Sequence, residues 1–134
     1  MIRELDDKVL VSGQIWPEEV AECKLRGVTM IVNNRADREE PGQPLGAEIE
    51  EAAEAAGIAY RSVPIIRGIG PADVEAMQEA IDACDGKLLA FCRSGTRSTL
   101  VWAIAKSRQG MPPEEIAERA SAAGVDIAPI AHLL

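Results

Sequence analysis

The sequence predicts an α/β fold of three layers, with a mainly parallel central sheet flanked by helices. Short β-like runs such as KVLVSGQ, VTMIVNN and KLLAFC alternate with amphipathic stretches along the chain, the pattern left by strands joined through crossover helices. KLLAFC is apolar at consecutive positions rather than alternate ones, as a strand covered on both faces must be. The 134 residues are 47% hydrophobic and contain no repeat or low-complexity tract. They suffice for one core and show no linker, so residues 1–134 are read as a single domain.

Each element has its own signal. KVLVSGQ reads as the first strand, and WPEEVAECKLRG as a helix that begins near Pro17, where a missing N–H does no harm, and stops at Gly27. VTMIVNN is the second strand, followed by the polar loop RADREEPGQPLG and by AEIEEAAEAAG, whose Ile49, Ala52, Ala53 and Ala56 share one helical face. IAYRSVPII is a third strand. In RGIGPADVEAMQEAIDACDG a loop feeds a helix with Val74, Met77, Ile81 and Cys84 at 3-4-3 spacing. KLLAFC is then the central strand, STLVWAIAKSRQG a largely buried helix ended by Gly110, and PPEEIAERASAAG a helix whose first-turn acids suit its N-terminus. The tail VDIAPIAHLL is expected to pack as a last short helix.

The charge balance narrows the function. A net charge of −8 lacks the basic footprint of a nucleic-acid or anionic-membrane binder. MIRELDDKVLVSGQ has no signal-peptide pattern and no segment has bilayer-spanning length, so a cytoplasmic location is expected. Cys23, Cys84 and Cys92 are odd in number and show no C-x-x-C spacing, which argues against a disulfide framework and a zinc site.

The chemistry concentrates in CRSGTRS, residues 92–98. A strand, a tight glycine-containing loop and a helix starting at once bring backbone N–H groups together, and the helix dipole adds positive potential. That field favours a thiolate, so Cys92 is expected to be ionised and nucleophilic. Arg97 supplies a planar fork for an anion and Arg93 a second charge; Ser94, Gly95, Thr96 and Ser98 complete the anion-binding loop, with Ser98 placed to cap the helix or donate to the thiolate.

The loop resembles the cysteine-phosphatase signature, Cys-x5-Arg followed by Ser or Thr, but Cys92 to Arg97 reads Cys-x4-Arg. The shorter spacing is similar to that of rhodanese-type sulfurtransferases, whose six-residue ring suits a persulfide sulfur or thiosulfate. VSGQIWPEEVAECKLRGVTMIVNNRADREEPGQP, GIAYRSVPI and FCRSGTRSTLVWAIA together resemble the phosphatase-like domain of beta-lactamase-hydrolase-like proteins, bacterial proteins often described as sulfurtransferases. The resemblance covers nearly the whole chain and implies a dual-specificity-type cysteine-phosphatase fold. It also implies a role in sulfide metabolism beside a persulfide dioxygenase or sulfide oxidoreductase.

Two departures separate this sequence from a working phosphatase. Phe91 precedes the nucleophile where phosphatases usually have histidine, and Ile65-Ile66-Arg67-Gly68 stands where a general-acid Asp is expected. Without that acid, ester hydrolysis loses a factor of about 10²–10⁴, whereas sulfur transfer expels weakly basic sulfite or thiolate. The leading expectation is therefore a sulfurtransferase. Cys92 takes a sulfane sulfur from thiosulfate or glutathione persulfide and passes it to a thiol acceptor, Arg97 orients the donor, and no metal or cofactor takes part. The alternatives are a cysteine-dependent phosphatase and a non-catalytic anion or persulfide sensor.

Asp73 is the first residue to test as a displaced acid, against a plain first-turn helix acid. Arg35, ending the MIVNNR strand, points to the same sheet edge as Cys92 if the strands are parallel, as a second anion contact or a surface charge. Asp37, Glu39 and Glu40 read as a solvated loop. Cys23 and Cys84 read as packed thiols, His132 as packing or surface, and Trp16 and Trp102 as core or pocket wall.

Overall fold

A computed structural model describes residues 1–134. It contains the strands β1 (Ile2–Glu4), β2 (Val9–Ser12), β3 (Val28–Asn33), β4 (Ala59–Ser62) and β5 (Lys87–Phe91). The helices are α1 (Val20–Leu25), α2 (Gly46–Ala55), α3 (Pro71–Ala83), α4 (Thr96–Arg108) and α5 (Pro113–Ala122). A 3₁₀ turn, Pro17–Glu19, leads into α1, and a second, Ala128–Leu133, packs the tail. No helix is long and apolar enough to cross a membrane.

The five strands form one sheet in the order β1-β2-β5-β3-β4. Pairings β2 with β5, β5 with β3, and β3 with β4 are parallel. KLLAFC lies at the centre, as its unbroken apolar run requires. The edge strand β1 pairs antiparallel with β2, Arg3 opposite Val11. Three residues with a single apolar side chain carry no periodic signal, which is why the sequence reading misses this strand.

Alternation along the buried strands sorts the core into two layers. Val9, Val11, Met30, Val32, Leu88 and Ala90 face α3, α4 and α5, meeting Met77, Ile81, Val101, Trp102 and Ile116. Leu10, Ile31, Leu89 and Phe91 face the other way, onto Val20 and Cys23 of α1 and Ile49 and Ala53 of α2. Cys84 joins the first layer and Cys23 the second, so both are packed thiols. Burial first, then Glu19 and Glu22, pushes the Cys23 thiol up and keeps it neutral.

Trp102 is fully buried and its indole N–H donates to Asp6 Oδ2 at 3.0 Å. Trp16 is no core residue: it is 46% exposed, beside Gln43 and Pro44. His132 is exposed in the terminal turn.

Candidate functional site

The carboxyl ends of β2, β5 and β3 lie side by side, and the segments leaving them build the site. This is where open parallel sheets place their ligands. After β5 the chain runs through Cys92, whose N–H donates to Ser12 O at 3.3 Å, and turns into α4. Gly95 makes the turn with φ +93°, a left-handed conformation that glycine adopts without a Cβ clash. Gly13, leaving β2, packs so closely that a Cβ there would meet Arg93 O at 3.0 Å. The backbone of one strand end thus cradles the loop from the next.

Cys92 is 1% exposed, and the Gly95 N–H donates to its Sγ at 3.1 Å. Burial pushes the thiol up, but the amides of Ser98, Ser94 and Gly95 more than offset it, and Cys92 titrates below the ordinary thiol value. The Ser98 hydroxyl also lies against Cys92, yet its single proton goes to Asn34 Oδ1 at 2.7 Å, so the amides carry the stabilisation. Ser98 does not cap α4, because Gly95 holds that position and Thr99 Oγ1 returns to Gly95 O at 2.8 Å. Ser94 and Thr96 share a hydroxyl contact at 3.1 Å on the exposed side.

Arg97 is fixed on one edge. Its Nη1 and Nη2 donate to Glu39 Oε2 and Oε1 at 2.7 and 2.8 Å, and Nη1 also donates to Ile65 O at 2.9 Å. A guanidinium has five N–H bonds. Three are used, and the two that remain, on Nε and Nη2, form a fork along the other edge. Glu39, and to a lesser degree the Cys92 charge, holds Arg97 firmly protonated.

Glu39 corrects the reading of its loop as solvated. Besides Arg97, it accepts from Arg35 Nε at 3.0 Å and from the Ala36 N–H at 3.3 Å. The Arg97 hydrogen bonds first, and those of Arg35, pull its carboxyl down to about 2. Glu40 accepts from Arg35 Nη2 at 2.8 Å, stands 3.8 Å from Arg93, and titrates low for the same reason, Arg35 leading. Asp37 accepts from the first amide of α2, at Gly46, at 2.8 Å. Arg38, immediately before Glu39, is the one non-glycine residue with positive φ, +63°, a conformation that costs roughly 1–2 kcal/mol.

Arg35 is 3% exposed, ruling out a free surface charge. Its guanidinium is shared among Glu39, Glu40 and Gln14, and it lines a pocket with Glu39, Glu40, Ile66, Arg93 and Arg97. Behind them Asn34, fully buried, accepts from Ser98, donates to Val63 O at 3.0 Å, and donates through its backbone to Phe91 O at 2.8 Å. Sequence reasoning missed Glu39, Asn34 and Gln14. A polar pair, Asn33-Asn34, ending a buried strand was the one available sign. Asp73 is engaged elsewhere, since its Oδ2 accepts from the Gly70 N–H at 2.8 Å and closes the start of α3. No carboxylate stands in the segment from Ile65 to Gly70.

The model of the Beta-lactamase hydrolase-like protein, phosphatase-like domain, matches residues 1–109. The chain belongs to this family. Beta-lactamase hydrolase-like proteins of Xylella fastidiosa are 36% identical over 128 residues, covering 94% of this chain but 30% of theirs. The chain thus spans less than a third of the length of these relatives. A crystal structure from Neisseria meningitidis Z2491, of a protein described as a suspected phosphatase, superposes with TM-score 0.86 at 35% identity, covering 98% of this chain and 94% of that one. P. aeruginosa TpbA in complex with pTyr superposes with TM-score 0.62 at 20% identity, over 88% and 70% of the two chains, and shares the fold. The phosphatase-like family thus sets a cysteine-phosphatase type of α/β fold around Cys92.

Proposed function

We propose that the chain is a cysteine-dependent phosphatase acting on monoesters with weakly basic leaving groups. The observation that carries this reading is the Nε–Nη2 edge of Arg97, which Glu39 and Ile65 leave open and which belongs to a guanidinium in contact with Cys92, on a helix whose preceding loop aims the Gly95 amide at the same sulfur. A tetrahedral oxyanion takes the fork side-on, and the remaining loop amides take its other oxygens. The Cys92 thiolate attacks phosphorus, the P–O bond to the leaving group breaks with its electron pair, and a thiophosphate ester forms. Water then attacks phosphorus and releases inorganic phosphate and the thiolate. The description of the Neisseria relative supports this choice over the sulfurtransferase expected from loop length.

Sulfur transfer is kept as a second reading because Cys92 to Arg97 spans six residues and the segment from Ile65 to Gly70 offers no acid. In it the thiolate attacks the outer sulfur of thiosulfate, the S–S bond breaks, and sulfite leaves behind a Cys92 persulfide. A thiol acceptor takes the sulfur, and a persulfide dioxygenase or sulfide oxidoreductase is the functional partner of this reading.

One experiment separates the two. Wild type and Cys92→Ser are each mixed with an aryl phosphate or with thiosulfate, quenched, and weighed intact. A phosphoryl adduct on wild type only, with phosphate release, is expected. Gain of one sulfur atom without phosphate release would replace the phosphatase by the transferase.

A further inference from the structure

Arg3 stands on the edge strand β1, outside the pocket. Its Nη2 donates to Ser94 O at 2.8 Å and its Nη1 to Ala123 O at 2.6 Å. The guanidinium occupies a slot between two glycines. A Cβ on Gly95 would collide with Nη2, and one on Gly124 would lie 3.4 Å from Nη1.

The consequence lies in a single peptide plane. Ser94 O and the Gly95 N–H belong to the same trans peptide unit and so point in opposite directions. Arg3 grips the carbonyl on one side; on the other, the N–H points at Cys92 Sγ, 3.1 Å away. A peptide free to flip would turn its carbonyl oxygen on the sulfur and repel a thiolate. A cation on the carbonyl also polarises the unit and strengthens its N–H as a donor.

We infer that Arg3 is a positioning residue for the nucleophile, locking the Ser94–Gly95 peptide so that its N–H holds the Cys92 thiolate. The register of β1 on β2, Arg3 opposite Val11 and Ile2 opposite Ser12, sets the reach of the guanidinium, and the end of α5 supplies its second anchor. The inference rests on Cys92 as nucleophile and is indifferent to whether phosphorus or sulfur is attacked.

The test is the pH profile of Cys92 alkylation by iodoacetamide, read by mass spectrometry of the Cys92 peptide, in wild type, Arg3→Gln and Arg3→Lys, with Tm measured beside it. For Arg3→Gln the midpoint rises and alkylation near neutral pH slows about three- to tenfold; for Arg3→Lys, which keeps the charge and can keep one carbonyl contact, the rise is smaller. If Arg3→Gln does not fold, Arg3→Lys decides alone, on a midpoint above wild type. A lower Tm with an unmoved midpoint would reduce Arg3 to a structural tie and overturn the inference. The assay uses no substrate, so absence of phosphatase turnover in wild type sinks the proposed function without touching this result. An ordinary thiol midpoint in wild type sinks both.

Discussion

Glu39 grips Arg97 by one edge with both carboxylate oxygens, 2.7 and 2.8 Å away, and leaves the opposite edge for an anion. Binding and positioning are thereby divided between two sides of one planar group. Glu39 in turn is held by Arg35, whose own surroundings exclude water.

Replacing Glu39 by Gln puts an amide N–H₂ against Arg97 or Arg35, where only acceptors fit. With the fork no longer held, kcat/KM on an aryl phosphate is expected to fall about 10- to 100-fold, the range of a lost charge-assisted hydrogen bond. Calorimetric titration with inorganic phosphate should weaken in parallel. Unchanged phosphate affinity would mean that Arg97 needs no help to stay aligned.

The same carboxylate makes stability depend on pH. Its folded pKa of about 2 lies below the ordinary 4.5, so its contribution is fully present above pH 4.5 and is lost as pH falls toward 2. The shift corresponds to about 2–3 kcal/mol after allowance for partial exposure. Urea unfolding of wild type and Glu39→Gln should therefore differ most near pH 6, keep part of that difference at pH 3 and converge only below pH 2. A gap that stays constant across that range would exclude the linkage.

The empty stretch from Ile65 to Gly70 predicts leaving-group dependence. Aryl phosphates, whose phenolates depart unprotonated, should be hydrolysed about 10²–10⁴ times faster than alkyl phosphates. Comparable rates on the two classes would require a proton donor outside that segment.

Asn34→Ala leaves Val63 O and the Ser98 hydroxyl without a buried partner. A loss of about 2–3 kcal/mol in denaturant unfolding is expected, together with a shifted Cys92 alkylation profile, because Ser98 is then free to reorient its proton toward sulfur. A loss under 0.5 kcal/mol would show that water takes over both contacts.

The layered sheet was legible in the sequence because strand and helix periodicities differ, and KLLAFC marked the centre of the sheet by its lack of alternation. Cys92 and Arg97 were legible because strand, loop and helix are contiguous there. Glu39 was not: it sits in a loop without period, and its partner Arg97 is 58 positions away. A run of charges looks the same in sequence whether water or arginine surrounds it. The donor count on Arg97, three N–H groups held and two left over, exists only in three dimensions.

The pocket sets three arginines, Arg35, Arg93 and Arg97, against two glutamates, Glu39 and Glu40, within a chain of net charge −8. A small anion therefore meets repulsion at a distance and attraction only at contact range. With a screening length of about 8 Å at physiological ionic strength, the outer field fades first as salt rises, while the fork keeps its grip at contact distance. Encounter should quicken with moderate salt, and long polyanions, which feel the whole surface at once, should be turned away before they reach the thiol.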